Sequence, residues 1–239
     1  MFLSESRWRE QKVRDNITIL NYSALNTLFP PSDKYSDALN EIRIKRSIQL
    51  QYKHLLTAVD KNNKQAIFKN METDEEVAVK YDFFHICPPH SPQEFVSNSP
   101  LADATGFCEA NMHTLRHPDY HNVFSVGDSA GLAASKTAAS LFSQVPVMVH
   151  NMIMMEKNKP LGAVYNGYGS CPLFVGDKKI MLAEFKYERK DNETFYINQN
   201  KPSRLFYFMK KSIFPWVYFN LVPKGKWYGN RTIFKPKYF

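Results

Sequence analysis

The spacing of apolar and polar residues predicts a mixed α/β arrangement in residues 1–86. Short apolar runs are typical of buried strands, recurrence every three or four positions is typical of helices, and alternation around a polar turn is typical of hairpins. These patterns predict, in order, a helix at the first residues, a strand at 17–22, a helix from Ser32 or Asp33 to about Lys45, strands within 48–59, and a hairpin of 64–70 and 76–86. Together these elements form an α/β layer.

In residues 87–239, the pattern predicts fewer helices and strands. Four prolines within 87–100 indicate an extended crossover, because proline lacks the N–H that helices and sheets use. Beyond it, the pattern predicts a strand at 120–128 that ends on Gly127-Asp128, a long helix at 133–156, and strands near 171–175 and 179–187.

Charge separates the C-terminal tail from the rest of the chain. Of the 31 basic residues, eight lie in 204–239, which has no Asp or Glu, so the other 23 balance the 23 acidic residues. The same tail has 12 of the 34 aromatic residues. The excess charge of +8 therefore belongs to an aromatic and basic segment.

Glycine and cysteine usage excludes several classes of protein. The nine glycines form no G-x-G-x-x-G or P-loop pattern, so the usual glycine-rich loop for a whole dinucleotide is absent from the sequence. Three scattered cysteines make neither a disulfide framework nor a zinc motif, which favours a reducing compartment. Residues 1–15 have no apolar core of a secretory signal, and they predict a chain that begins inside a longer protein.

Two short segments carry candidate chemistry. Asp128 follows a predicted strand and precedes a helix, where a carboxylate can bind ribose or ribityl hydroxyls and the helix end favours negative charge. The alternative is an aspartate that only caps a turn. Cys171 lies between a glycine loop and Pro172, so it is either a reactive thiol or an inert buried cysteine.

The sequence resembles the C-terminal part of mitochondrial-type sulfide:quinone oxidoreductases, FAD-dependent flavoproteins with two dinucleotide-binding domains. The resemblance runs over essentially the whole chain, and SKTAA together with GYGSCPL, at this separation, is specific to the family in a way that Gly-Asp alone is not. The matching segments are LFPPSDKYSDALNEI (28–42), CPPHSPQEFVSNSPLADATGF (87–107), HPDYHNVFSVGD (117–128), SKTAAS (135–140), YNGYGSCPL (165–173) and LAEFKY (182–187).

The resemblance implies roles for individual residues. Cys171 matches one of two redox cysteines and corresponds to the persulfide carrier. The cofactor-binding residues that it implies for FAD are Gly127, Asp128, Lys136, Thr137, Ala138 and Ala139. Hydrogen sulfide is then oxidised, ubiquinone is reduced, and sulfur passes to a small thiol or sulfite. The implied location is the mitochondrial inner membrane, as a peripheral protein.

The resemblance also implies what the chain lacks. The family's FAD-binding glycine loop and its other catalytic cysteine fall before residue 1, so this chain by itself is expected to be an inactive part of an enzyme. The fold class is an incomplete Rossmann-like flavoprotein. Its predicted domains are 1–110, a truncated second Rossmann-like domain with a hairpin; 111–200, the returning part of the FAD domain; and 201–239, a membrane-interface tail.

The tail suits a lipid surface. Aromatic rings bury at the headgroup boundary while lysines meet anionic lipid, and no apolar run is long enough to span a bilayer. We expect Phe214, Trp216, Tyr218 and Phe219 to contact the membrane and quinone. Single-stranded nucleic acid favours the same mixture of residues but is not the expected partner.

Other interpretations remain open at this level. A non-catalytic remnant that binds membranes or partners is one alternative, and a quinone-reducing NADH dehydrogenase is another, although hydride transfer needs no cysteine. His113, His117 and His121 are spaced for one face of a helix, but Pro118 interrupts it, so we expect no metal site.

Overall fold

The computed structural model describes residues 1–236. Lys237, Tyr238 and Phe239, which belong to the predicted tail, lie outside the described residues. The chain divides into two units, one of residues 1–89 and 174–179 and the other of residues 90–173 and 180–239.

The first unit contains a parallel strand pair joined by a helix. Its elements are α1 (Phe2–Glu10), β1 (Ile19–Tyr22), α2 (Asp33–Lys45) and β2 (Ile48–Gln51). β1 pairs with β2 in parallel, with Ile19 opposite Ile48, and Tyr35 of α2 is fully buried. Parallel neighbours need a crossover connection, which α2 supplies here.

The hairpin region of this unit forms an antiparallel sheet. Strands β3 (His54–Asp60), β4 (Gln65–Asn70) and β5 (Glu76–Lys80) follow one another in the order β3-β4-β5. Phe68 of β4 is buried and stacks on Tyr22 with ring centroids 4.3 Å apart. The predicted hairpin is present, and its second strand ends at Lys80 rather than at residue 86.

A partly buried ion cluster anchors α1 within the first unit. Glu5 accepts hydrogen bonds from Arg9 (3.1 Å) and Arg46 (3.0 Å), and Asp177 accepts from Arg9 (2.8 Å), Arg46 (3.1 Å) and Ser6 Oγ (2.9 Å). Burial alone would raise the pKa of Asp177, but Ser6 and the two arginines outweigh it and hold that pKa below its usual value.

The second unit is built on a long helix. Its helices are α3 (Glu94–Ser97), α4 (Ala138–Glu156), α5 (Arg204–Phe208) and α6 (Phe214–Asn220), and β6 (Gly169–Gly176), β7 (Lys179–Lys186) and β8 (Lys190–Asp191) form a sheet in that order. One core cluster consists of Leu115, Val147, Ala163, Tyr165 and Tyr168, and a second of Ile180, Leu182 and Phe206.

The mixed α/β class predicted from the sequence is confirmed, with two local differences. The strand expected at 120–128 does not form; in that range Phe124 makes a single bridge to Arg116. The long helix begins at Ala138 rather than at 133, because the Thr137 side chain accepts a hydrogen bond from the Ser140 N–H (3.1 Å) and caps it there.

Candidate functional site

The Gly127-Asp128 turn is anchored to α4. Gly127 has φ +67°, a conformation that favours glycine, and its N–H donates to the buried Gln144 Oε1 at 2.7 Å. A Cβ at Gly127 would lie 3.3 Å from Leu141 Cδ1. Asp128 is consequently held at the surface, where its carboxylate is accessible.

The four residues at the start of α4 have different surroundings. Lys136 and Thr137 are half-buried, Ala138 is exposed, and Ala139 packs against the cluster around Tyr165. The Thr137 cap fixes the N-terminal end of α4. The N–H groups of the first turn have no acceptor within the helix, so they are donors at this fixed end.

Lys136 contacts the turn itself. Its Nζ donates to the carbonyls of Asp128 (3.1 Å) and Ala130 (2.5 Å) and lies 4.0 Å from the centroid of the Phe107 ring. Burial lowers the pKa of Lys136, and the charges of Asp128 and Asp103 oppose this change. The ammonium group therefore stabilises the backbone on which Asp128 sits.

A neighbouring loop that sequence reasoning missed packs on this turn. The Asp103 carboxylate accepts from Thr105 N–H (2.7 Å), Thr105 Oγ1 (2.6 Å) and Phe107 N–H (3.2 Å). A Cβ at Gly131 would lie 1.9 Å from Asp103 Oδ2. The glycine after the Gly127-Asp128 motif was the available signal, since it allows this approach.

Cys171 lies in β6, close in sequence to a tightly packed glycine segment. A Cβ at Gly167 would lie 2.3 Å from Tyr187 Cγ, and one at Gly169 would lie 2.7 Å from Phe185 Cε2 and 2.9 Å from Ser140 Oγ. Since Ser140 is in the first turn of α4, the structure brings the start of the Cys171 strand to the same helix end that anchors Asp128.

The Cys171 thiol is half-buried, and its ionisation is disfavoured. Burial raises the pKa of this thiol to about 11. The thiol is therefore protonated near neutral pH, the opposite of what a nearby cation or helix end would produce.

Tyr168 and Glu184 form a second feature that the sequence did not reveal. Tyr168 Oη donates to Glu184 Oε1 at 2.5 Å, and both residues are buried. Burial, followed by the charge of Glu184, raises the pKa of Tyr168 well above its usual value, so the tyrosine stays protonated and keeps donating.

The tail residues from Arg204 to Asn220 form a helical segment whose two faces differ. α5 and α6 are joined by a π-helical stretch, Met209–Ile213. Phe206 and Val217 are buried, whereas Trp216 (58%), Tyr218 (49%) and Phe219 (72%) are exposed. Phe214 packs against the cluster of Ile180, Leu182 and Phe206. In residues 1–236, no helix has the length and hydropathy to cross a bilayer.

The histidines and the remaining cysteines make contacts of other kinds, and Cys108 forms a backbone bridge to Ala130 beside the Asp128 turn. His117 is buried, and its Nδ1 accepts from the N–H groups of Asp119 (3.1 Å) and Tyr120 (3.2 Å). Cys87 is exposed beside His85, and Cys108 is buried. Over the described part of the chain, no three His, Cys, Asp or Glu residues are placed to hold a metal.

Accessible polar groups at the turn and at the helix end fit one edge of FAD. The exposed Asp128 carboxylate can accept from hydroxyls, and the capped first turn of α4 presents N–H donors. The Asp128 carboxylate is exposed, and Thr137 takes only the Ser140 N–H of the first turn, so the remaining donors and this acceptor match the chemistry of the polar edge of a flavin nucleotide.

Comparison with known proteins identifies relatives of this chain. No family model matches. The mitochondrial sulfide:quinone oxidoreductase of Schizosaccharomyces pombe is 40% identical over 247 residues, covering 100% of this chain and 53% of that protein. The chain thus spans about half the length of the curated relatives it matches.

Solved structures share the fold. A chain in the cryo-EM structure of the Tetrahymena thermophila mitochondrial ATP synthase has a TM-score of 0.77 at 23% identity, over 99% of this chain and 56% of that one. The X-ray structure of the Aquifex aeolicus sulfide:quinone oxidoreductase has a TM-score of 0.71 at 14% identity, over 94% of this chain and 54% of that one. The resemblance seen in the sequence and the partial flavoprotein fold are confirmed.

Proposed function

Because the chain is homologous over its whole length to about half of each mitochondrial sulfide:quinone oxidoreductase it matches, we propose that it is the C-terminal part of an FAD-dependent enzyme that oxidises hydrogen sulfide and reduces ubiquinone. One observation supports this most directly: the segment before Cys171 contacts the first turn of α4, and α4 also anchors the Asp128 turn. In this proposal, Cys171 and the N-terminal end of α4 that would face the nucleotide belong to one site.

In this proposal, Asp128 and the start of α4 hold one edge of the cofactor. The Asp128 carboxylate accepts from ribityl hydroxyls, and the N–H groups of Ala138 and Ala139 face the negatively polarised edge. Gly127 permits the turn, while Lys136 and Thr137 stabilise it through the contacts described above. When bound, FAD supplies the electron transfer between sulfide and quinone.

Cys171 is the proposed persulfide carrier. It holds sulfur in an S–S bond and releases it to a small thiol or sulfite. With a pKa of about 11, the free thiol is a poor nucleophile near pH 7. A resting state in which Cys171 is already bonded to sulfur needs no thiolate at this position, so the burial is compatible with the proposed role.

The tail is the proposed contact with the mitochondrial inner membrane, as a peripheral surface. Trp216, Tyr218 and Phe219 present rings to the lipid, and Phe214 fixes the helix to the core beneath. Exposed lysines, including Lys210 and Lys211, flank the rings and meet anionic headgroups. This contact would bring the site to a quinone dissolved in lipid.

The test uses the chain co-expressed with the N-terminal half of the Schizosaccharomyces pombe relative. Flavin absorbance after gel filtration reports assembly, and sulfide-dependent reduction of a soluble ubiquinone analogue reports turnover. Cys171→Ser should keep flavin but lose turnover roughly 10³-fold or more, because serine cannot carry sulfur in an S–S bond. Cys87→Ser is the matched control and should retain turnover. Full turnover by Cys171→Ser would remove Cys171 from the mechanism.

A second candidate is a non-catalytic module that binds membranes or partners through the tail. The observation that favours it is the exposed aromatic face of α6, which needs no cofactor. Assembly with flavin but without any Cys171-dependent turnover, together with intact liposome binding, would select this candidate.

A further inference from the structure

Glu184 in β7 is a buried carboxylate that is satisfied by neutral donors. It is 4% exposed. Its Oε1 accepts from Tyr168 Oη (2.5 Å) and Thr194 Oγ1 (2.8 Å), and its Oε2 accepts from Thr194 N–H (2.8 Å) and Gln199 Nε2 (2.9 Å). Hydrogen bonds to a carboxylate are stronger than those between neutral groups, so this carboxylate fixes several segments at once.

One of these segments leads to Cys171. Tyr168 is bonded at three points: its N–H donates to Asn166 Oδ1 (3.1 Å), its carbonyl accepts from Tyr165 Oη (2.7 Å), and its own hydroxyl donates to Glu184. Only two residues, Gly169 and Ser170, separate Tyr168 from Cys171, so the position of one constrains the other.

The other segment is the loop from Thr194 to Gln199. Gln199 is fully buried; its Nε2 also donates to the Leu182 carbonyl (2.7 Å), and its Oε1 accepts from the Phe195 N–H (2.8 Å). The tip of this loop is apolar and exposed at Phe195, Tyr196 and Ile197. Glu184 is therefore the shared acceptor of the loop and of the strand that carries Cys171.

We propose that Glu184 is a positioning residue that fixes the Cys171 strand against the loop 194–199 and so keeps the Cys171 thiol half-buried. The reactivity of Cys171 in catalysis rests on the proposed function, whereas the positioning does not. In Glu184→Gln the charge is lost and an NH2 donor replaces one acceptor oxygen, so at least one of the four donors around residue 184 loses its acceptor and the strand should open to solvent more often.

The experiment measures alkylation of the 239-residue chain by iodoacetamide, with each cysteine followed by peptide mass spectrometry. It needs no sulfide, quinone or flavin, so its outcome is independent of the enzyme assay. Glu184→Gln and Tyr168→Phe should raise the Cys171 rate about tenfold, the change expected when one hydrogen bond to a charged group is lost. Their double variant should match Glu184→Gln alone, because both remove one coupled interaction.

Thr194→Val is the matched control, because it removes one donor on the loop side and leaves Tyr168 in place. It should leave the Cys171 rate within about twofold, and exposed Cys87 should react at the same rate in every variant. The pH profile of Cys171 alkylation should move toward lower pH in both Glu184→Gln and Tyr168→Phe, because a more open strand reduces the burial that raises the pKa of this thiol.

Two results would overturn the proposal. Unchanged Cys171 reactivity in folded Glu184→Gln and Tyr168→Phe would be one. Equal acceleration in Thr194→Val, in parallel with lowered unfolding temperatures, would be the other, since it would assign the effect to general stability. If Glu184→Gln does not fold, the milder Tyr168→Phe decides alone.

Discussion

At the scale of single residues, the absence of a side chain decides where the candidate site can form. Gly131 lets the Asp103 carboxylate approach the turn after Asp128, and Gly169 lets β6 approach Ser140. Lys136 shows the complementary case, since its long side chain folds back onto the carbonyls of Asp128 and Ala130. The geometry around Asp128 thus depends on residues that need not touch a cofactor.

We predict that Gly131→Ala destabilises the second unit. The added Cβ would lie 1.9 Å from Asp103 Oδ2 and 3.3 Å from the Cys108 carbonyl, so the loop 103–108 must shift, at a cost of roughly 1–3 kcal/mol. Thermal unfolding measures this. Gly162→Ala is the matched control, since its nearest neighbour is His150 Nε2 at 3.8 Å. Equal unfolding temperatures for the two variants would contradict the prediction.

At the scale of elements, charge clusters and rings fix the helices to their units. In the first unit, α1 is held by Glu5 and Ser6 through Arg46 and Asp177. In the second, α5 and α6 bury Phe206 and Val217 while leaving aromatic rings exposed. The ion cluster that holds α1 depends on pH, because it includes a carboxylate. The role of α5 and α6 depends on which surface contacts their exposed rings.

Attachment of α1 should weaken in acid. The pKa of Asp177 is lowered in the folded chain, so its contribution is fully present above the unfolded pKa of about 3.9 and is lost as pH falls through the lower folded pKa. The protection factors of the α1 amides against hydrogen exchange, which are corrected for the intrinsic pH dependence of exchange, should fall in that range. Asp177→Asn should exchange faster already at neutral pH, by a modest factor because the side chain is 35% exposed. Equal hydrogen-exchange rates of the α1 amides at pH 6 in the unsubstituted chain and in Asp177→Asn would refute the role of Asp177.

Two phenylalanines of α6 should separate membrane binding from stability. Phe219→Ala should weaken co-sedimentation with anionic liposomes at high salt, where ring insertion remains and electrostatics are screened, without lowering the unfolding temperature. Phe214→Ala should lower the unfolding temperature, because Phe214 packs on the buried cluster of Ile180, Leu182 and Phe206.

Unchanged liposome binding of the triple variant Trp216→Ser, Tyr218→Ser, Phe219→Ser would contradict the membrane contact. Stronger binding to single-stranded RNA than to liposomes would favour nucleic acid instead.

At the scale of the whole molecule, the proposed FAD site would draw only part of its contacts from this chain. Asp128 and the α4 end are present, and the sequence has no glycine-rich dinucleotide loop. The proposed enzyme therefore needs groups that these 239 residues do not supply.

We expect the isolated 239-residue chain to retain FAD at well below one equivalent. Only part of the contacts to FAD can be made, so the affinity should be low. Visible absorbance after gel filtration measures bound flavin. A stoichiometric flavin spectrum would show that the described residues bind FAD without a glycine-rich loop.

The sequence by itself determined the α/β class, the order of most elements and the family resemblance. Apolar runs marked β1 and the hairpin of β4 and β5, and Ser32 or Asp33 before a periodic apolar pattern marked the start of α2. These features depend on neighbours within a few positions of the chain. The charge of the tail is likewise a matter of composition.

Only the tertiary structure decided the chemistry at the candidate site. The raised pKa of Cys171 comes from burial, the contact of Gly131 with Asp103 joins residues 28 positions apart, and Glu184 receives donors from Tyr168 and Gln199. The expected strand at 120–128 was wrong for a related reason, since apolar alternation does not supply a partner strand. Local pattern favours an element, but strand pairing, desolvation and hydrogen bonding depend on segments that meet only after folding.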